Sequence, residues 1–354
     1  MEKLIKEILN YGVMAPSGDN SQPWYFKING PTLSIFNIPE RDNLVLNFQQ
    51  SGSYMAHGGL IENCVIAASN LGCGSDVVVF PDEKNPDLVV RITFFKDQSV
   101  KKDTLFQMIE KRHTNRRKYE IRELETKHRD SIVHTSNEVS GAKNILVKLV
   151  ENPSTMSLLG PAGSSIEKVI LENELLHSLL FKDVVWSEKE EQKRRSGLYI
   201  ETMEFNPVQK IVFRLASSWK IITLLNKIGL SKLIAKEDGN LYSKGAAMGV
   251  IVLQQKSKES WIIAGRILQR VWLKATLFNL GLQPVSGIPF AMQRIKANKA
   301  NQFFSVAQIE NIKKNYTILE KNFSCENYVI AIMFRLGYSK TASARCTRKK
   351  PDIL

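Results

Sequence analysis

Four short segments of this 354-residue chain carry residue types that could do chemistry together. The first is Arg112-His113-Thr114-Asn115-Arg116. In an extended arm, alternate side chains point the same way, so Arg112, Thr114 and Arg116 can face one ligand. A guanidinium donates two parallel hydrogen bonds, a geometry that suits a phosphate. The second is Ala15-Pro16-Ser17-Gly18-Asp19-Asn20-Ser21-Gln22-Pro23-Trp24, where Ser17, Asn20 and Gln22 offer hydroxyl and amide groups. The third, Leu280 to Gly287, ends in Val285-Ser286-Gly287, and the fourth is the basic tail Thr347-Arg348-Lys349-Lys350-Pro351. Each has a bland alternative: a helix-ending turn for Ser17, Asn20 and Pro23, and a basic loop beside a helix C-terminus for the arginines.

Charge and composition narrow the classes. Lys+Arg of 49 against Asp+Glu of 35 gives a net charge of +14, which favours anionic partners such as phosphates, nucleic acid or a membrane surface. The basic residues are dispersed, with dense runs only at Lys111 to Lys118 and Arg345 to Lys350. No nucleic-acid stacking motif accompanies them. Cys64, Cys73, Cys325 and Cys346 show no metal-type spacing, so reduced thiols and no metal site are expected. The N-terminus alternates charged and apolar residues, unlike a signal peptide. Val212 to Ala235 is interrupted by Arg214, Lys220 and Lys227, where a spanning helix needs ~20 mostly apolar residues. An amphipathic helical hairpin, no membrane partner and a cytoplasmic location are therefore expected.

The elements that must position these segments follow from periodicity. Leu4, Ile5, Ile8 and Leu9 mark a helix over residues 3 to 12, and Trp24 to Ile28 and Leu33 to Ile38 form a hairpin about Asn29-Gly30. Ile61, Cys64, Val65 and Ala68 lie on one helical stripe closed by Asn70-Leu71-Gly72. Val77 to Phe80 and Leu88 to Phe95 read as strands of a covered sheet. Lys96 to Asp103 is the expected boundary between two halves, followed by a helix over Thr104 to Arg112. The second half echoes the first: Leu268, Val271, Trp272 and Ala275 repeat the stripe, Asn279-Leu280-Gly281 repeats the closing tripeptide, and a strand follows at Tyr328 to Leu336.

On these residues the chain resembles the nitroreductase-like FMN-binding family. Arg112, Thr114 and Arg116 match its R-x-S/T-x-R arm, and Ala15 to Trp24 matches its A-P-S-x-x-N-x-Q-P-W segment. Phe334 to Tyr338 and Thr347 to Pro351 resemble its closing R-x-G-Y and P-R-[RK]-x-P segments, and Arg195-Ser196-Gly197-Leu198 resembles R-D-G-L with Ser196 in place of the aspartate. The order of the first two motifs is inverted relative to the family, as if half of one subunit were fused ahead of another. The resemblance implies an α+β fold, a central, mainly antiparallel sheet flanked by helices, and two halves forming an intrachain pseudo-dimer. It implies a truncated half over residues 1–100 and a second half over 101–354, with a helical insertion at about 204–236 that can cover a flavin.

The resemblance further implies that Arg112, Thr114, Arg116, Arg348 and Lys349 hold the FMN phosphate side. Ser17, Asn20 and Gln22 would reach across from the first half, and Val285, Ser286 and Gly287 would present backbone N–H groups near flavin N5. The family's glutamate in this loop is absent. No side chain need act as nucleophile or base, since the cofactor carries the chemistry. The implied activity is electron transfer from NAD(P)H through FMN to a small acceptor such as a nitroaromatic or quinone, by a monomer or homodimer without nucleic acid. An alternative within the same resemblance is FMN sequestration with little turnover.

Overall fold

The computed structural model describes residues 1–43 and 45–354. The first half runs α1 (Glu2–Gly12), β1 (Trp24–Asn29), β2 (Thr32–Asn37), α2 (Ser51–Asn70), β3 (Cys73–Val79) and β4 (Leu88–Lys96). An irregular arm then leads to α3 (Thr126–Val133) and β5 (Ile145–Val150). A long excursion carries α4 (Pro153–Leu171), α5 (Glu174–Asp183), β6 (Val184–Val185), α6 (Glu188–Arg194), β7 (Leu198–Tyr199), α7 (Pro207–Ala216), α8 (Trp219–Lys227) and α9 (Leu230–Tyr242). The chain closes with β8 (Ala247–Leu253), α10 (Lys258–Leu277), β9 (Leu280–Val285), α11 (Gly287–Lys296), α12 (Val306–Asn322) and β10 (Val329–Tyr338). No helix among the described residues is long and apolar enough to cross a membrane.

The fold is α+β, with two four-stranded antiparallel sheets flanked by helices. Their strand orders are β1-β2-β4-β3 and β5-β8-β10-β9, so each places its strands as first, second, fourth, third. A 20-residue helix, α2 or α10, stands between the second and third strands of each. Both helices end on an αR-like residue followed by a left-handed one, Gly72 (φ 71°) and Asn279 (φ 55°). Gly72 therefore matches Asn279 rather than Gly281, and the tripeptide echo in the sequence is two residues out of register with the helix ends.

Helices α2 and α10 pack directly on each other. Gly58 is the eighth residue of α2 and Gly265 the eighth of α10, while Met55 and Ile262 are the fifth. A Cβ on Gly58 would lie 2.0 Å from the Ile262 carbonyl oxygen, and one on Gly265 would lie 2.0 Å from that of Met55. The contact is reciprocal, as at a two-fold axis. Alongside it, buried Glu62 accepts from Arg266 and Arg270, both at 2.7 Å, and Gln269 donates to Asn63. One apolar core runs through both halves, from Ile5 and Leu60 to Val271 and Phe334. A second fills the space between the second sheet, α4, α11 and α12.

Three local expectations are corrected. Thr104 to Arg112 is not an α-helix but a 3-10 turn at Phe106–Met108. Leu105, Met108 and Ile109 reach a small cluster with Ile66 and Leu273, and i, i+3 spacing satisfies that burial without a regular helix. Strand β3 is an edge strand rather than a covered one: it pairs only with β4, and Val78 faces outward. The expected hairpin at Val212 to Ala235 is instead covered by three helices, α7 to α9.

Candidate functional site

A cavity of about 920 Å³ lies between the two halves. It is lined by Ser17 and Asn20 from the first half and by Arg112, Thr114 and Arg116 from the arm. Val285, Ser286 and Gly287 join them after β9, with Arg345 and Arg348 from the tail. Gln22 and Lys349 do not line it.

The Ala15 to Gln22 loop owes its shape to left-handed residues. Asp19, Asn20 and Gln22 have φ of 44°, 56° and 51°, a conformation Asn and Asp tolerate better than most. Ser17 Oγ closes the loop by accepting from the Gln22 N–H at 3.0 Å. Gln22 is a fastener: its amide donates to the carbonyls of Asn20 and Arg195, and its Oε1 accepts from the Lys349 N–H at 2.9 Å. This explains why Gln22 and Lys349 meet each other and not the cavity. Asn20 Nδ2 donates to the Thr347 carbonyl, which leaves its Oδ1 buried with no partner.

The arm is pinned to the second sheet. The Asn115 N–H donates to the Leu282 carbonyl, the Glu120 N–H to that of Tyr338, and the Tyr119 hydroxyl to that of Asn115. Fully buried Arg335 on β10 donates to Gln283, Leu241 and Arg117, tying the arm, α9 and β9 together. The tail then crosses to the first half, where Phe26 donates to the Asp352 carbonyl and Ile353 bridges to Phe26 along the edge of β1. That crossing brings Arg348 to the Ala15 carbonyl, at 3.2 Å.

The result is an accumulation of positive charge. Arg112 lies 4.5 Å over the Trp272 ring and donates to the Met14 carbonyl, and its Nε is buried without a partner. Burial, together with Arg348 and Arg345, pushes the Arg112 guanidinium well below its usual range. Arg348 moves the same way, by burial first. Buried Arg112 with its orphaned donor, Arg348 and Arg345 near it, and the orphaned Asn20 oxygen together suit a dianion and its polar chain. At the other side, Ser286 is the N-cap residue of α11 without a side-chain capping bond, and the Gly287 N–H lies in the first turn, where a helix provides no acceptor. A Cβ on Gly287 would lie 2.6 Å from Ile166, so α4 fits closely over this loop.

Carboxyl groups not singled out in the sequence also line the cavity: Asp19, inside the first-half motif, and Asp42, Glu167 and Asp238, outside every motif. Burial raises all of them, Asp42 to about 7. After burial, Asp238 adds to the upward shift of Glu167, and both carboxyl groups push the Tyr242 hydroxyl up. They come from α4 and α9, far apart in sequence and in no recognisable motif. Arg116 donates to the Thr202 carbonyl at 3.1 Å, and Arg117 pairs with Glu204 at 3.3 Å, so the arm holds the excursion in place. The expected insertion, 204–236, is the outer part of that excursion. Among the described residues, no cluster of three His, Cys, Asp or Glu side chains could hold a metal ion.

No protein-family model matches the sequence. It is 22% identical over 342 residues to an uncharacterized protein of Mycobacterium tuberculosis, covering 96% of this chain and 46% of that one. It is 28% identical over 81 residues to a putative NAD(P)H nitroreductase of the same organism, covering 23% of this chain and 24% of the relative. The chain thus spans less than half the length of these relatives. Among solved structures, a nitroreductase with bound FMN from Desulfitobacterium hafniense aligns at 12% identity and TM-score 0.39, covering 71% of this chain and 96% of that one. An FMN-dependent nitroreductase from Mycobacterium smegmatis in complex with NADPH aligns at 11% identity and TM-score 0.39, covering 69% and 92%. In its motifs and in the sequences it matches, the chain is similar to the nitroreductase-like flavoproteins.

Proposed function

We propose that the chain binds one FMN in this cavity and passes electrons from NAD(P)H to a small acceptor of the nitroaromatic or quinone class. The observation that carries the reading is the cavity built from both halves, lined at one end by Arg112, Arg345 and Arg348, of which Arg112 is buried and has no ion pair among the described residues. Arg112 and Arg348 would hold the phosphate, Asn20 Oδ1 and the Ser17 and Thr114 hydroxyls the ribityl chain. The N–H groups at Ser286 and Gly287 would face the ring edge where charge develops on reduction. When bound, FMN supplies the hydride and electron chemistry. The chain's part is binding, orientation and exclusion of water.

A second reading, FMN storage with little turnover, is favoured by one observation. The excursion is latched over the cavity by Arg116 to Thr202, Arg117 to Glu204, and the Ser343 N–H to Glu204. Purified protein should be yellow, with one FMN per chain; colourless protein that cannot be reconstituted overturns both readings. Anaerobic mixing with NADPH or NADH separates them, since rapid bleaching marks the reductase and a persistent oxidised spectrum marks storage.

A further inference from the structure

Helices α7 and α8 turn their apolar stripes outward. Val208, Ile211 and Leu215 recur at i, i+3 and i+7 on α7, and Ile221, Leu224 and the C-cap residue Ile228 do the same along α8. Val208, Ile211, Leu215, Leu224, Ile228 and, on α9, Leu233 are each at least half exposed, Ile228 to 83%. Their inward sides are held separately: Ala216 and Ile222 are buried against Leu171, with Trp219, Leu230 and Ile234 packed around them, and Phe213 meets the rings of Phe181, Trp186 and Phe205. An amphipathic helix in a folded domain normally presents its apolar stripe to the core. Among the described residues nothing covers that stripe, and six large apolar side chains on adjacent helices exceed the scattered exposure normal for a surface.

Charge identifies what covers it. Residues 205–236 contain six Lys or Arg and no Asp or Glu. Lys210 pairs with Glu201 and Arg214 lies 5.6 Å over the Trp186 ring. Lys220, Lys227, Lys232 and Lys236 have no ion pair or hydrogen bond among the described residues. A second copy of the chain would bring the same cations against these and repel them. A nucleic-acid backbone would satisfy the lysines but leave the leucine and isoleucine stripe wet. An anionic bilayer surface meets both needs, since phosphate headgroups pair with lysines while apolar side chains enter the acyl boundary.

We propose that α7, α8 and the start of α9 form a docking face for an anionic lipid surface, on which the excursion lies flat without spanning it. The expectation of no membrane partner rested on the lack of a spanning segment, and a surface-lying helix needs none. The test is co-sedimentation of the full chain with phosphatidylcholine vesicles, with and without phosphatidylglycerol. The wild type should bind only the mixed vesicles, and less as salt rises. Replacing Lys220, Lys227 and Lys232 by Glu should weaken binding at least ~tenfold, as expected for lysines close to a charged surface. Leu224→Ser with Ile228→Ser, at exposed positions where folding is not at stake, should weaken it as well while FMN content stays unchanged. Equal binding to neutral vesicles overturns the proposal, as does binding that ignores the serine substitutions. So does absence of vesicle binding, whether the chain is monomeric or is a dimer that the serine substitutions dissociate.

Discussion

Replacing Arg112 by Ala should weaken FMN binding selectively, and the structure sets the scale. One arm of the guanidinium is committed to the Met14 carbonyl at 3.0 Å, and its face to Trp272. Its Nε is a buried donor with no acceptor. One hydrogen bond from a charged donor to a phosphate oxygen is worth ~1.5–3 kcal/mol, or ~10- to 150-fold in Kd. The lower end applies if Arg345 and Arg348 close over the phosphate, the upper end if they cannot. Flavin fluorescence titration at fixed ionic strength measures the loss, and riboflavin, which lacks the phosphate, serves as the control. The variant should bind riboflavin as the wild type does, and its FMN affinity should depend less on salt, with one fewer cation facing the anion. Arg112→Lys should recover only part of the affinity, because an ammonium keeps the charge but not the planar fork. Unchanged FMN affinity, or an equal loss for FMN and riboflavin, refutes the assignment of Arg112 to the phosphate.

Other outcomes follow from packing and titration. Gly58→Ala should cost ~1–3 kcal/mol in urea unfolding despite Ala's better helix propensity, because its Cβ meets backbone; adding Gly265→Ala should cost less than a second full increment, since the helices are already parted. Glu62→Ala removes the buried partner of the largely covered Arg266 and Arg270 and should cost ~3 kcal/mol, the low end for a broken buried pair, because Arg270 keeps Asp103 and Glu138. Asp42, raised by burial to about 7, binds its proton more tightly folded than unfolded. Stability of the flavin-free protein should therefore be highest at low pH with respect to this group and fall as pH rises from about 4 through 7. The drop should be ~2 kcal/mol, half the full linkage value because Asp42 borders the cavity, and Asp42→Asn should flatten it in pH-dependent thermal melts.

What was legible in the sequence is what local chemistry imposes. The turn at Asn29-Gly30, the stripes of α2 and α10 and the arm at Arg112 each need particular residue types at short spacing. Cavity-lining residues inside such segments were readable, as Ser17, Asn20 and Arg116 were. Gln22 and Lys349 belong to the same motifs but hold each other, a tertiary choice that no spacing reveals. Glu167 and Asp238 were silent because they meet only when α4 and α9 pack through Gly160 and Gly239. The Thr104 to Arg112 turn was misjudged because burial at i, i+3 and i+4 fits a 3-10 turn as well as an α-helix.

The two sheet-and-helix units match at the α2–α10 contact and differ at the cavity. Gly58 and Gly265 are reciprocal, yet the twelfth helix residue is Glu62 in α2 and Gln269 in α10, so the ionic network cannot repeat itself. The ninth and tenth residues after the helix are Ser286 and Gly287 in the second half, at the cavity, and Val79 and Phe80 in the first. Phe80 takes φ 47°, costly for a bulky residue, and its ring meets Tyr54 edge-on at 5.3 Å, with the Lys258 ammonium 5.6 Å from its centroid. Where a second flavin loop would need a slim backbone, an aromatic side chain is wedged instead, and no counterpart of the Ala15 to Trp24 segment occurs in the second half. This supports one flavin per chain rather than one per half, a ratio that flavin absorbance against protein concentration measures directly; two per chain would mean that Phe80 swings aside and that the asymmetry of the halves has no functional weight.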